Sequence, residues 1–105
     1  MLLTVDIGNT NITLGVFEGK KLHVTFRMTT IQTRTSDEYG MVMCELLEHN
    51  DVKVEEITDV IVASVVPNVM HSLTSAIIKY FHTKPIIIEA GVKTGIRVAS
   101  KNPRQ

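Results

Sequence analysis

The chain has few cysteines and no long apolar run, and each of these features excludes a class of protein. Its 105 residues include a single cysteine, Cys44. That excludes an intrachain disulfide framework and a cysteine-rich zinc site, and it favours a reducing, cytoplasmic location. No stretch approaches the roughly 18 apolar residues of a membrane helix. The opening run Met1–Val5 is short, lacks a basic leader and stops at Asp6, so we expect neither a signal peptide nor a membrane partner.

An excess of charge of either sign is also missing. The chain has 11 Lys and Arg against 11 Asp and Glu, and the pair Lys20-Lys21 is its longest basic run. Such a domain has no global attraction to polyanions, and we expect no nucleic-acid partner. What the chain does have, 44% apolar and 21% charged residues, is typical of one small globular domain.

Three short strands are predicted at the start of the chain. The segments Leu2–Asp6 and Ile12–Glu18 are rich in apolar and β-branched residues, and Leu22–Met28 alternates apolar with polar residues. Glu18–Lys20 contains a glycine turn signal, and short turns join neighbouring strands as antiparallel pairs. The sequence therefore predicts a three-stranded meander.

Two helices are predicted after the meander. Thr35–Glu38 forms a capping box for the first, and Asn50 fits its C-cap; Pro67 fits the first turn of the second. Each helix has an apolar stripe at helical spacing. The stripes consist of Tyr39, Val42, Met43, Leu46 and Leu47 in the first helix, and of Val69, Met70, Leu73, Ile77 and Phe81 in the second.

Two further strands are predicted around the second helix. Ile57–Val66 and Pro85–Ile88 are dense in Val and Ile without polar alternation, as in strands that are buried on both faces. The resulting order, β-β-β-α-β-α-β, predicts an α/β fold with a mixed sheet and helices on its faces. We expect residues 1–105 to be one domain whose last residues, from about 90, lead into a second half.

A cluster of small polar residues lies in the first turn, within the stretch VDIGNTNITLGVF (5–17). Such residues are common in hairpin turns, where Gly8-Asn9 would permit positive φ. The alternative is a phosphate-binding loop, because hydroxyl, amide and backbone N–H groups bind phosphate oxygens and Gly8 allows close backbone approach. The turn residues alone leave the two interpretations evenly matched. Five polar or glycine positions among the six from Asp6 to Asn11 favour phosphate binding.

Asp6 is the acidic residue of this turn. A carboxylate repels bare phosphate but fits beside a divalent cation that stands between the two. Asp6 is therefore predicted on the metal side of a bound phosphate. The turn is not a Walker loop, since no Gly-Lys-Ser/Thr follows it.

The stretch DIGNTNITLGVF resembles the first phosphate motif of the acetate kinase/sugar kinase/Hsp70/actin superfamily, which has a ribonuclease H-like core and this element order in each half-domain. Most sugar kinases of that group carry Gly-Gly-Thr after the acid. This chain carries Gly8-Asn9-Thr10, the form that resembles type III pantothenate kinase. Further motifs agree with that family: FRMTT (26–30), TSDEYG (35–40), VASVVP (62–67), GVKTGIRV (91–98) and NP (102–103).

The resemblance implies ATP-dependent phosphorylation of pantothenate to 4'-phosphopantothenate, the first step of coenzyme A synthesis. It implies Mg²⁺ on Asp6, and a monovalent cation, K⁺ or NH₄⁺. The residues implied in binding the ATP phosphates are Asp6, Ile7, Gly8, Asn9, Thr10, Asn11, Ile12 and Thr13. Thr94 and Gly95 are expected to line the substrate cleft, and Ser100 aligns with a tyrosine that contacts pantothenate in the family. Ser64, at the end of a predicted parallel strand, is a further candidate.

The resemblance also implies a catalytic base outside this chain, the aspartate of a Gly-Ala-Asp-Arg segment expected shortly after Gln105. We therefore expect residues 1–105 alone to have no measurable kinase turnover, and the full-length protein to be a homodimer. One alternative is another small-molecule kinase of the superfamily. A second is a ribonuclease H-like nuclease, for which Asp59 and Glu89 are the available acids. A third is a non-enzymatic accessory factor for transcription, although the sequence has no helix-turn-helix signature.

Overall fold

The computed structural model describes residues 1–89. Within them, five strands and two helices follow the predicted order. The strands are β1 (Leu2–Ile7), β2 (Asn11–Glu18), β3 (Lys21–Thr29), β4 (Asp59–Ser64) and β5 (Ile86–Glu89). The helices are α1 (Ser36–His49) and α2 (Pro67–Phe81). A short 3-10 turn at Val54–Glu56, which was not predicted from the sequence, precedes β4.

The five strands form one mixed sheet in the order β3-β2-β1-β4-β5. The first three are antiparallel, which confirms the predicted meander, and Gly19, with a φ of 63°, lies in the turn between β2 and β3. Strand β4 is parallel to β1, and β5 is parallel to β4. The carboxyl ends of β1 and β4 therefore lie side by side, with Ile7 paired to Ser64.

The core lies on one face of this sheet. Side chains alternate along β1, so that Leu3, Val5 and Ile7 are fully buried whereas Asp6 on the other face is exposed. Both helices contact each other and share a single hydrophobic core with the buried face. Within residues 1–89, the predicted helices thus cover one face of the sheet and leave the face of Asp6 uncovered by a helix.

The two later strands are less buried than their composition predicted. In β4, Val60 and Val62 are buried but Ile61 is only partly so, because both helices lie on one face. In β5, Ile86 and Ile88 are 59% and 48% exposed, since among the strands of residues 1–89 β5 is an edge strand with one neighbour. The prediction that these strands are buried on both faces is therefore wrong for the part of the chain that the structure describes.

Helix α1 begins and ends where the sequence predicted. The Thr35 hydroxyl accepts a hydrogen bond from the Glu38 N–H at 3.2 Å, and the Glu38 carboxylate accepts one from the Thr35 N–H at 2.7 Å. These reciprocal bonds satisfy two donors of the first turn and hold the pKa of Glu38 below its ordinary value. Asn50 is the C-cap, and its side-chain amide donates to the Leu46 carbonyl at 2.7 Å.

The TSDEYG motif also attaches α1 to α2. The Asp37 carboxylate accepts hydrogen bonds from Lys79 Nζ at 2.7 Å and from the Tyr80 hydroxyl at 3.0 Å. These two bonds, that from Lys79 above all, hold the pKa of Asp37 below its ordinary value. Gly40 is buried against the ring of Tyr80, at a point with no room for a side chain. Asp37 and Gly40 of the motif therefore join the two helices.

Candidate functional site

The turn between β1 and β2 is a compact loop at the carboxyl end of β1. The Gly8 N–H donates to the Asn11 carbonyl at 3.0 Å, and Asn9, Thr10 and Asn11 are all exposed. Within residues 1–89, φ is positive only at Gly19, Asp51 and His82, so the turn does not need glycine or asparagine for a left-handed backbone. A Cβ on Gly8 would lie 3.1 Å from the Asn11 carbonyl oxygen, a tight contact that glycine avoids.

Asp6 lies directly beside this loop, on the face of the sheet opposite the core. Its cross-strand partner is Thr13, whose next partner on β3 is Arg27, and paired residues point to the same face. All three side chains are exposed, and they form a row of a carboxylate, a hydroxyl and a guanidinium group. Asp6 precedes Gly8 by two residues, so their Cα atoms are about 7 Å apart along the chain. The loop and the acid are therefore close enough to bind one small metal-bound anionic ligand together.

Thr30 holds the loop from the far end of β3, a role that the sequence did not predict. Its N–H donates to the Thr10 carbonyl at 2.9 Å, and its hydroxyl donates to the Gly8 carbonyl at 2.8 Å. The carbonyls on both sides of Asn9 are thus fixed by one residue. The available signal was the position of Thr30 at the end of FRMTT, but contacts 22 residues apart are not visible in a motif.

Three of the predicted site residues direct their side chains into the core. Ile7 and Ile12 are fully buried, so only their backbone can take part in a site at this turn. Ser64 is 8% exposed; its hydroxyl donates to the Val66 carbonyl at 3.1 Å and accepts from the Val66 N–H at 2.9 Å. Ser64 lies at the expected edge of the sheet but on the buried face, and its hydroxyl bonds hold the backbone of Val66 just before α2. We therefore do not include it in the site.

The residues at the loop fit a metal-bound phosphate group. Among residues 1–89, no group of three or more His, Cys, Asp or Glu side chains could hold a metal ion by itself. Mg²⁺ commonly binds proteins through one or two carboxylates and takes its other ligands from water and substrate phosphates. The exposed Asp6 provides one such carboxylate, and Asn9, Thr10 and Thr13 provide exposed amide and hydroxyl groups for phosphate oxygens. This donor set suits a nucleotide with its metal better than a metal alone.

Comparison with known proteins identifies the family. The family model of type III pantothenate kinase matches residues 2–105. A type III pantothenate kinase from Agathobacter rectalis is 58% identical over 105 residues, which are 100% of this chain. The chain belongs to the type III pantothenate kinase family. It spans 40% of the length of that relative.

Solved structures with the same fold are more distant in sequence. A ROK hexokinase from Thermus thermophilus has a TM-score of 0.60 at 16% identity, covering 84% of this chain and 34% of that one. The ethanolamine utilization protein EutJ from Carboxydothermus hydrogenoformans has a TM-score of 0.50 at 13% identity, covering 83% of this chain and 35% of that one. At these identities the likeness concerns the fold alone, and it confirms the predicted actin-like, ribonuclease H-like half-domain.

Other candidate residues of this kinase-family chain lie away from the loop or outside the described part. Thr94, Gly95 and Ser100 fall beyond residue 89, and their predicted substrate contacts lie outside the described residues. Asp59, an acid that a two-metal nuclease would need, pairs with Leu2 at the opposite end of β1 from Asp6. Cys44 packs against the core, and burial raises the pKa of its thiol, as expected for a packing residue. No helix within residues 1–89 is both long and apolar enough to cross a membrane.

Proposed function

We propose that this chain is the N-terminal, phosphate-binding part of a two-domain kinase. The kinase transfers the γ-phosphate of ATP to pantothenate, forming 4'-phosphopantothenate in the first step of coenzyme A biosynthesis. The observation that supports the proposal is the Asp6 carboxylate beside the Gly8–Asn11 loop in a chain that belongs to the type III pantothenate kinase family. The 58% identical kinase from Agathobacter rectalis supports pantothenate as the acceptor.

The loop would bind the phosphate chain of ATP with neutral donors. The exposed side chains of Asn9, Thr10, Asn11 and Thr13 can donate to phosphate oxygens. The N–H groups of Asn9 and Thr10 donate no backbone hydrogen bond within residues 1–89, and so they are available as further donors. Donors that are fixed before the nucleotide arrives lower the reorganisation that binding requires.

Asp6 would hold the divalent metal. Mg²⁺, when bound, neutralises charge on the β- and γ-phosphates. The carboxylate can reach the metal directly or through water, while the repulsion between Asp6 and bare phosphate prevents ATP from binding equally well without it. Arg27, two strands away on the same face and about 10 Å from Asp6, would add a positive charge to this face of the sheet.

The remaining parts of the activity are assigned to residues beyond those described. We propose that a base in the second half orients the pantothenate hydroxyl, and that Thr94, Gly95 and Ser100 line its binding cleft. A monovalent cation, K⁺ or NH₄⁺, a homodimer and a cytoplasmic location are proposed on the family resemblance. Turnover measured with and without K⁺, and the mass in solution by light scattering, test the first two.

The test uses the full-length enzyme, meaning this chain together with its second half. We expect ATP-dependent phosphorylation of pantothenate and none of glucose, the acceptor of a hexokinase. Asp6→Asn should lower kcat/KM by about a hundredfold or more, the scale of losing one electrostatic contact to the reacting phosphate. Asp59→Asn removes an exposed carboxylate at the opposite end of the same strand pair and should retain activity. A wild-type enzyme that does not phosphorylate pantothenate would overturn the proposal.

A further inference from the structure

We propose that Thr30 is a positioning residue that fixes two peptide units of the phosphate loop, and with them the Asn9 N–H, an inference that rests on the proposed function of this loop. Thr30 lies immediately after β3 and does not belong to the loop itself. It nevertheless forms hydrogen bonds with two of the loop carbonyls, those of Gly8 and Thr10. The side chain and the backbone of Thr30 each contribute one of these bonds.

The orientation of a carbonyl determines the orientation of the N–H in the same peptide unit. Because the peptide bond is planar and trans, the C=O of one residue and the N–H of the next point in opposite directions. The Thr30 hydroxyl, 2.8 Å from the Gly8 oxygen, holds the Gly8–Asn9 peptide plane and so turns the Asn9 N–H away from β3. The Thr30 N–H, 2.9 Å from the Thr10 oxygen, fixes the Thr10–Asn11 plane in the same way.

The two bonds of Thr30 have different consequences for the fold. The bond from its backbone N–H continues the β2–β3 pairing by one step, and any residue other than proline could form it. The bond from its hydroxyl contacts only the loop, and it needs serine or threonine among the side chains of similar size. The side chain of Thr30 therefore stabilises the conformation of the loop, whereas its backbone N–H extends the pairing of the strands.

Tyr39 fixes Ile31, the residue that follows Thr30. Its side chain is fully buried, and its hydroxyl donates to the Ile31 carbonyl at 2.7 Å and accepts from the Ile31 N–H at 3.3 Å. Both polar groups of the residue that follows Thr30 are thus bound to α1. The guanidinium of Arg34 lies 5.3 Å from the centre of the same ring. The loop is consequently connected, through Thr30 and Ile31, to the rigid core.

The test compares three single variants of the full-length enzyme, Thr30→Val, Thr30→Ser and Thr83→Val. Thr83→Val is a matched control, because the Thr83 hydroxyl also donates to a carbonyl, that of Phe81 at 3.1 Å, at the far end of α2. We expect Thr30→Val to raise the Kd for Mg²⁺-ATP, measured by calorimetry, by about fivefold to tenfold. Thr30→Ser should stay within about twofold of the wild type, and so should Thr83→Val.

Kinetics separate positioning from simple loss of structure. Thr30→Val should raise the KM for ATP and leave the KM for pantothenate unchanged, whereas partial unfolding would lower kcat without raising the KM for ATP. If Thr30→Val and Thr83→Val bind ATP with equal affinity, the inference about Thr30 is overturned. The proposed function still stands in that case, provided that the wild-type enzyme phosphorylates pantothenate. A wild-type enzyme that binds ATP but does not phosphorylate pantothenate would overturn only the proposed acceptor. Absence of ATP binding by the wild type would overturn both.

Discussion

Replacing Gly40 with alanine tests how closely the two helices pack. Gly40 lies in the first half of α1 and is buried against Tyr80 of α2. A Cβ at this position would overlap Cδ1 and Cε1 of the Tyr80 ring and would lie 2.9 Å from its Cγ. The ring would have to move, and its hydroxyl would then lose the hydrogen bond to Asp37.

Two opposing contributions determine how much Gly40→Ala changes the free energy of unfolding. Overpacking a well-packed contact costs about 1–3 kcal/mol, while alanine in place of glycine inside a helix stabilises by about 1 kcal/mol. We therefore expect Gly40→Ala to lower the free energy of unfolding by about 1 kcal/mol, as measured by urea denaturation with a constant m-value.

The sign should reverse when the ring is removed. In a Tyr80→Ala background the Cβ of residue 40 meets no ring, and the helix propensity alone should stabilise by about 1 kcal/mol. The comparison is a double-mutant cycle in which the coupling between the two positions is the quantity of interest. Equal destabilisation by Gly40→Ala in both backgrounds would refute the assignment of the glycine to close packing against Tyr80.

Further predictions concern caps, charges and the thiol. Thr35→Ala should lower the free energy of unfolding by about 1 kcal/mol, and Thr35→Ser should not, because serine keeps the acceptor for the Glu38 N–H. The pKa of Asp37 is lowered in the folded chain, chiefly by its hydrogen bond with Lys79, so its contribution to stability is present above the unfolded pKa and is lost as the pH falls through the folded pKa. The Tm difference between the wild type and Asp37→Asn should accordingly be present at pH 7 and shrink in strong acid; a constant difference would contradict this. Burial raises the pKa of Cys44, so iodoacetamide should modify it more slowly in the folded chain than in urea, and equal rates would contradict its packing role.

Features set by near neighbours in the sequence were predictable. The capping box at Thr35–Glu38 involves residues three apart, and the meander follows from two short turns between apolar strands. The position of Asp6 was also accessible, because β1 alternates and an acid between Val5 and Ile7 must point away from the core. For such features the hydrogen-bond partner or the buried face is contained in the pattern itself.

Features set by distant elements were not predictable. The burial of β4 and β5 depends on which face of the sheet the helices cover, and a dense run of Val and Ile does not predict that face. Ser64 was placed at the correct edge of the sheet, but its pairing with Ile7 turns its side chain toward the core. The contact of Thr30 with Gly8 depends on the register between β2 and β3, which no single motif contains.

The central claim is that the Gly8–Asn11 loop binds the phosphates of ATP with a metal on the Asp6 side. The most direct measurement is the Kd of the full-length enzyme for ATP, with Mg²⁺ and with EDTA, in the wild type, in Asp6→Asn and in Asp59→Asn. We predict that Mg²⁺ tightens ATP binding in the wild type and in Asp59→Asn, and that Asp6→Asn abolishes the difference between the two conditions. A Mg²⁺ effect of the same size in Asp6→Asn and in the wild type would contradict the account.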